Sequence, residues 1–385
     1  MANMKKVKKN IGIITPPIGK AGLGPLSNLV EIISHFTSNT YVITGNEGMG
    51  LFQPTNQSLR ILDIKYSHTK SILFRIIFHV YMQLRISFEL IKQAKNVDVW
   101  IFFLDSHALL LPVLTAKLLK KNIVFTLAAS IAKSIELHND IFLKLLIYSE
   151  AINFRLSDNI ILYSQYLIKE WNLEKYENKI SIAHEHFLDF GKFKMQSRLD
   201  EMEIIIGYVG RLSTEKGTLN FVEAIPEISK DINGVKFLIG GDGPLLRKIK
   251  FYITECGLNG KIELTGWIPH DELPVYFSRL NLLVLPSYTE GLPNIMLEAM
   301  ACSTPILATS VGAIPSVIKG DGDTGFIMEN NSPECIAANV IRALEHPDLE
   351  GVAKRARALV EREFTFERAV ERWRTILEEV CDDRR

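Results

Sequence analysis

The order of apolar segments predicts an α/β protein of two Rossmann-like domains, each a parallel sheet covered by helices. Three observations carry this. Short apolar runs of strand length alternate with longer stretches of helical period. The alternation passes through two successive series, the second beginning near Glu203. Between the series, around 185–200, FLDFGKFKMQSRLDE loses periodicity and gains charge, as an interdomain segment does.

In the first series the strands are expected at IGIIT (11–15), TYVITG (40–45), VDVWIFF (97–103), NIVFTLA (122–128), NIILYS (159–164) and KISIAH (179–184). The N-terminal MANMKKVKKN has the charge of a signal-peptide n-region. The apolar run behind it is only IGIIT before Pro16 and Pro17, so it reads as a strand. PPIGKAGLGPLSNL then reads as a glycine-bearing loop with a helix behind it at 26–36. IFLKLLIYSEAINFRLSD (141–158) is a second pattern of helical period. In the second series EIIIGYVG, VKFLIGGDG, KIELTGWIP, LNLLVLPS and TPILATS are strands, alternating with helices such as NFVEAIPEIS and NIMLEAMAC. FTFERAVERWRTILEEV (364–380) is an amphipathic helix with no strand after it, expected to cross back to the N-terminal domain. The domains are therefore placed at 1–187, with 366–385 packing back on it, and 188–365.

At 385 residues, 47% hydrophobic and 23% charged, the chain is long enough for two cores and too apolar for extended disorder. Lys+Arg and Asp+Glu are equal at 44 each, but the first 190 residues hold 21 basic residues against 15 acidic ones. The basic half is the one suited to an anionic surface. Within it, 60–95 carries seven Lys+Arg against two acids among Phe, Ile, Leu and Tyr. That mixture fits an anionic membrane surface, and equally a pair of domain helices with a solvated basic face. A pI near 7.1 and the lack of a recognised module argue against nucleic acid. Cys256, Cys302, Cys335 and Cys381 stand far apart, without metal-ligand spacing, and read as reduced thiols. No run of about 18 apolar residues suggests a spanning helix. A cytoplasmic protein, or one peripheral at the cytoplasmic membrane face, is expected.

The chemistry concentrates in the C-terminal half. GYVGRLSTEKGTLNFVEAI (207–225) is a strand, a glycine turn and a helix, with Arg211 and Lys216 in the connection. Two cations beside a helix N-terminus suit a diphosphate, although loop Arg and Lys are commonly just solvated charges. In LPSYTEGLPNIMLEAMACSTPILATSVGAIPSVI (285–318), Glu290-Gly291-Leu292-Pro293 is a turn opening a helix at Asn294. Glu290 then lies at the carboxyl end of a strand, where open α/β sheets bind ligands. Backbone N–H groups of the Gly291–Asn294 turn would face phosphates, and Glu298 would point back from the first helical turn. The two carboxylates can accept hydrogen bonds from sugar hydroxyls and a ribose diol, though a lone helical glutamate is usually a surface residue. Asp321-Gly322-Asp323 reads as a turn and not a metal pair. Gly240, Gly241 and Gly243 read as packing glycines that cap a helix at Pro244.

Residues 203–330 resemble the donor-binding domain of family 4 glycosyltransferases, retaining enzymes with the GT-B fold of two facing Rossmann-like domains. The resemblance rests on the ordered set GRL-x3-KG, GGDGPL, GWIP, LPSYTEGLPNIMLEAMA and DGDTGFI. It implies that Arg211 and Lys216 hold the donor diphosphate, Glu290 contacts the transferred sugar and Glu298 the ribose. Gly266, Trp267 and Ile268 would lie near the base, unless Trp267 is a half-buried core aromatic. Gly22 and Gly24 would face the phosphates from the N-terminal, acceptor-binding domain. The implied reaction moves a hexose-type sugar from a nucleotide-diphosphate donor, uridine favoured over guanosine, to a glycan or lipid-linked acceptor. It needs neither metal nor cofactor. Two departures stand out. FTLAAS (125–130) lacks the histidine many relatives carry there, leaving His107 as a candidate on the acceptor side. AHEHFLDFGKF (183–193) replaces a proline-asparagine-glycine turn, which would put His184 and His186 at the cleft. The alternatives are a nucleotide-sugar epimerase or phosphorylase on the same fold, and a non-catalytic nucleotide-sugar-binding scaffold.

Overall fold

The computed structural model describes residues 9–51, 59–63, 72–128, 141–195 and 203–382. The chain divides into two compact units, Met1–Phe187 with Phe366–Arg385, and Leu188–Thr365.

The first unit is a seven-stranded sheet: β1 (Ile11–Ile18), β2 (Thr40–Asn46), β3 (Leu59–Asp63), β4 (Val99–Phe102), β5 (Asn122–Leu127), β6 (Asn159–Leu162) and β7 (Ile180–Ile182). Every pairing is parallel, in the order β3-β2-β1-β4-β5-β6-β7. The helices are α1 (Lys20–Phe36), α2 (Ile72–Lys92), α3 (Leu110–Leu118), α4 (Ile141–Leu156) and the short α5 (Tyr166–Glu170).

Three sequence expectations change here. β1 does not stop before Pro16 but continues through both prolines to Ile18. β4 pairs with it only as far as Ile14, while the register to β2 shifts between Ile14 and Pro17. The prolines thus occupy the stretch where one side of the strand needs no N–H donor. α1 begins at Lys20, not at 26, so Gly22 and Gly24 lie in helix and not in a loop. Pro25, the sixth residue of the helix, lies past the four opening N–H groups that have no internal partner, so the helix forgoes its i→i−4 bond to the Ala21 carbonyl there. Its face is held by Leu26, Leu29, Ile32, Ile33 and Phe36, all buried. Finally, 60–95 is not a pair of helices: Leu59–Asp63 is an edge strand paired with β2, and Ile72–Lys92 is one helix. Residues 64–71 lie outside the described residues.

The second unit is a six-stranded parallel sheet of β8 (Ile205–Val209), β9 (Lys236–Gly240), β10 (Ile262–Gly266), β11 (Leu282–Leu285), β12 (Ile306–Thr309) and β13 (Phe326–Met328), ordered β10-β9-β8-β11-β12-β13. Its helices are α6 (Thr218–Asp231), α7 (Leu246–Glu255), α8 (Leu273–Arg279), α9 (Asn294–Ala301), α10 (Ile314–Val317), α11 (Pro333–Leu344) and α12 (Leu349–Glu363). α7 starts two residues after the expected Pro244. The packing role of the glycines holds: a Cβ on Gly241 would stand 1.9 Å from the Gly210 carbonyl oxygen, and one on Gly243 2.4 Å from that of Leu212. One core cluster of this unit includes Tyr208, Phe221, Phe237 and Phe326, and Leu238, Leu283, Phe277, Met296 and Leu297 are buried outside it.

The last helix, α13 (Phe366–Asp382), belongs to the first unit. Its Ala369, Val370, Trp373, Ile376 and Leu377 are buried with α1 and the strands behind it. The Asn122 side chain caps it by donating to the Val380 carbonyl at 2.8 Å.

In each sheet the strand order reverses once, between β1 and β4 and between β8 and β11. The loops leaving two such strands diverge to opposite faces, so a crevice opens at their carboxyl ends.

Candidate active site

In the second unit the reversal brings together the loop after β8 and the loop after β11. Gly217 makes their contact possible. It ends the turn Thr214–Lys216 at φ +62° and starts α6, and a Cβ there would stand 1.9 Å from the Pro286 carbonyl oxygen. Lys216 is thereby held against the Glu290 loop. Its ammonium donates to both Glu290 oxygens, at 2.7 and 2.8 Å. Ser287 Oγ donates to Glu290 Oε1 at 2.7 Å, and Thr309 Oγ1 fixes the Ser287 carbonyl at 2.6 Å. On the far side Gly312, at φ +61°, lets its loop lie on the Glu290 backbone, where a Cβ would meet the carbonyl oxygen at 2.2 Å. The pair is largely withdrawn from water, with the Glu290 side chain 9% exposed. Charge-assisted hydrogen bonds of this kind are the strong ones.

Arg211 lies in the same loop but outside this cluster. Its guanidinium is well exposed and 3.4 Å from Glu215, while its carbonyl accepts from the buried Tyr208 hydroxyl at 2.8 Å. The backbone of the loop is therefore fixed, and the guanidinium stands largely in solvent beside Glu215. Gly291, Leu292 and Pro293 form the turn into α9, which starts at Asn294 with Pro293 as its cap. The N–H groups of its first turn open at the carboxyl end of β11, an anion-favouring position.

Glu298 is buried one turn into α9 and does not join the Lys216–Glu290 cluster. It meets His270 Nε2 at 2.8 Å, and His270 Nδ1 lies 2.9 Å from Lys192 Nζ. An ammonium only donates, so Nδ1 accepts and the ring proton sits on Nε2, donated to Glu298. Lys192 also pairs with Asp271, and Phe193 packs edge-on against the imidazole at 5.3 Å between centroids. Near the end of α9, burial, and then the Glu298 charge, push the Cys302 thiol up to about 12.

Trp267 is 79% exposed, which excludes the half-buried core reading, whereas Ile268 is buried against Gly240. Asp321 pairs with Arg342, and Asp323 with Arg355.

Ser287, His270, Gly312 and Lys192 were not singled out in the sequence. Ser287 and Gly312 fall inside the segment quoted for Glu290, and His270 directly follows GWIP. Lys192 carried no signal, since it lies in the aperiodic stretch.

The remaining candidates belong to the first unit. Gly22 and Gly24 are on α1, at the carboxyl end of β1; a Cβ on Gly24 would meet nothing within 4 Å. His107 follows β4 but turns inward. It is 3% exposed, and its Nε2 is 3.6 Å from Glu150. Burial depresses the His107 pKa and raises that of Glu150 to about 7. His184 and His186 are also buried, not surface residues. They flank Glu185, which accepts from the Tyr163 hydroxyl at 2.7 Å and is pushed up to about 7 by burial. Arg372 donates to His184 Nε2 at 3.0 Å.

Residues 189–361 match a family model described as glycosyl transferases group 1. Among similar proteins, the alpha-D-kanosaminyltransferase of Streptomyces kanamyceticus is 32% identical over 183 residues, 47% of this chain and 47% of that one. The N-acetyl-alpha-D-glucosaminyl L-malate synthase of Bacillus anthracis is 29% identical over 196 residues, 51% and 50% of the two chains. The match thus spans about half the length of these relatives. Solved structures align over nearly the whole chain. A glycosyltransferase from Rickettsia africae gives a TM-score of 0.71 at 18% identity, covering 98% of this chain and 99% of that one. An Anabaena protein solved with UDP and glucose gives 0.72 at 16%, covering 95% and 99%. Residues 189–361 are thus similar to the glycosyl transferases group 1 family, and the two Rossmann-like units have the GT-B fold.

Proposed function

We propose that this chain is a retaining, metal-independent glycosyltransferase that moves a hexose-type sugar from a nucleotide-diphosphate donor, UDP-sugar favoured, to a glycan or lipid-linked acceptor. The observation that carries the reading is the Lys216–Glu290 pair at the β8/β11 reversal. A cation, a nearly buried carboxylate and the N-terminus of α9 converge where the sheet opens, which is the chemistry a diphosphate and a hydroxyl-rich sugar call for.

Breaking the anomeric C–O bond builds positive charge on the sugar and negative charge on the departing diphosphate. In this reading Lys216 turns from Glu290 to the phosphates, joined by Arg211 and the N–H groups of the Gly291–Asn294 turn. Glu290, released, accepts from the sugar hydroxyls. Each partner keeps the other desolvated and in place until the donor arrives, so little reorganisation is left for the transition state. Glu298, oriented by His270, takes the ribose diol, and Trp267 and Ile268 border the base. The acceptor hydroxyl attacks from the leaving-group face and passes its proton to the departing diphosphate oxygen, and no protein nucleophile takes part. The donor role falls to the second unit and the acceptor role to the first.

The test is a screen of UDP-, GDP- and ADP-sugars, recording nucleoside diphosphate release and thermal stabilisation with and without EDTA. One donor is expected to stabilise the protein and release its diphosphate, unaffected by EDTA. Lys216→Ala and Glu290→Ala should each lower kcat/KM by roughly 100-fold or more. Stabilisation without turnover, even with membrane extract as acceptor source, would replace the reading with a nucleotide-sugar-binding scaffold. An isomerised donor sugar would replace it with an epimerase.

A further inference from the structure

The outward face of α2 is apolar. Leu73, Ile77, Val80, Leu84, Phe88 and Ile91 recur at intervals of three and four, one stripe along the helix, and each is between 45% and 62% exposed. The opposite face is already spent: Met82, Ile86 and Leu90 are buried, and the Gln83 side-chain Oε1 accepts from the Leu111 N–H at 2.8 Å, tying α2 to α3. The outer stripe is thus a second apolar face with no place in the core of its unit. α3 packs against α2 and α4 against α3, and both also carry exposed apolar side chains. There Leu118 is 84% exposed and Tyr148 75%.

Charge decides what covers it. Between Ile72 and Lys95 the sequence has a single acid, Glu89, which is buried and paired with Lys92 at 2.9 Å. Arg85, Lys92 and Lys95 are exposed, with the Lys92 ammonium 4.5 Å over the Phe88 ring. A second copy of this chain docking by the same face would set these cations against their own counterparts, with no exposed acid on α2 to answer them. An anionic bilayer answers both features, its acyl boundary taking the stripe and its headgroups the cations, with Tyr81 and Tyr148 at the level where amphipathic rings settle. No helix among the described residues is long and apolar enough to cross a membrane, so α2 lies along the surface.

We infer that the α2–α3–α4 face of the first unit docks on anionic lipid bilayers. This does not depend on the glycosyl-transfer reading. The test is co-sedimentation of the full chain, at low and high salt, with phosphatidylcholine vesicles containing or lacking phosphatidylglycerol. Binding is expected only with phosphatidylglycerol and should weaken with salt. Leu84→Gln with Phe88→Gln, and separately Arg85→Glu with Lys95→Glu, should each weaken it by about tenfold or more without changing the melting temperature. All four side chains are exposed, so the fold is spared. No sedimentation with phosphatidylglycerol vesicles, or binding that both double variants leave intact, would overturn the inference. So would a dimer in sedimentation velocity that Leu84→Gln with Phe88→Gln disperses while vesicles bind nothing.

Discussion

At the scale of single residues, the orientation of Glu298 is set by its neighbour. A helical carboxylate samples several rotamers when free, but here His270 donates to it, and Lys192 fixes which nitrogen holds the proton. Removing the imidazole leaves a nearly buried carboxylate without its donor, and a hydrogen bond to a charged group contributes about 1.5–3 kcal/mol. His270→Ala should therefore raise KM for the nucleotide sugar about tenfold or more, with kcat changed much less. A 2′-deoxyribose donor should lose nothing further in the variant; an equal loss for both donors would assign His270 a structural role only. The sequence made the two glutamates legible, because Glu290 stands between a strand and a Gly-Leu-Pro turn and Glu298 in the helix that this turn opens. It did not make their partners legible. Lys216 and Glu290 are 74 positions apart, and Lys192 and His270 are 78. Only the strand order brings such pairs together.

At the scale of elements, the buried group at the ends of β6 and β7 makes stability depend on pH. Glu185 is surrounded by Tyr163, His184 and His186, with Arg372 reaching in from α13. Burial raises its pKa from 4.5 to about 7, so the folded chain holds a proton there that the unfolded chain gives up near 4.5. Folding takes up that proton between those values. Glu185's contribution to stability is then present below about pH 4.5 and is lost as pH rises to 7, by on the order of 3 kcal/mol. Burial, with the charges of His186 and Arg372, depresses the pKa of His184, which works in the opposite direction below its ordinary 6.5. The comparison is therefore between variant and parent: Glu185→Gln should gain on the parent in urea midpoints as pH goes from 5 to 8. A constant difference across that range would mean that Glu185 is ionised in the folded state. Most strands could be read from apolar runs because a parallel sheet covered on both faces leaves them little polarity. Two escaped. β3 is an edge strand inside a basic segment, and β13 is three residues behind a glycine turn; neither offers a run long enough to show a period.

At the scale of the whole molecule, the two units differ in how the chain closes them. The second is one continuous stretch whose core is made within 188–365. The first is not complete until α13 returns to lay Trp373, Ile376 and Leu377 against α1. Trp373 is fully buried, and its indole N–H donates to the His184 carbonyl at 3.1 Å, so truncation removes both packing and a satisfied donor. Trp373→Ala should cost the first unit about 3–5 kcal/mol. Because the residue has no place in the second core, the loss should be confined. Hydrogen exchange on the full-length variant should then show faster exchange in β1, β2 and β4, while β8, β9 and β11 keep their protection. Uniform loss across both sheets would mean that the units unfold as one cooperative block, and a single unfolding free energy would then describe the chain. Confined loss would mean instead that the 188–365 unit stands without its partner unit, and that the C-terminal helix governs the unit that carries the exposed apolar stripe of α2.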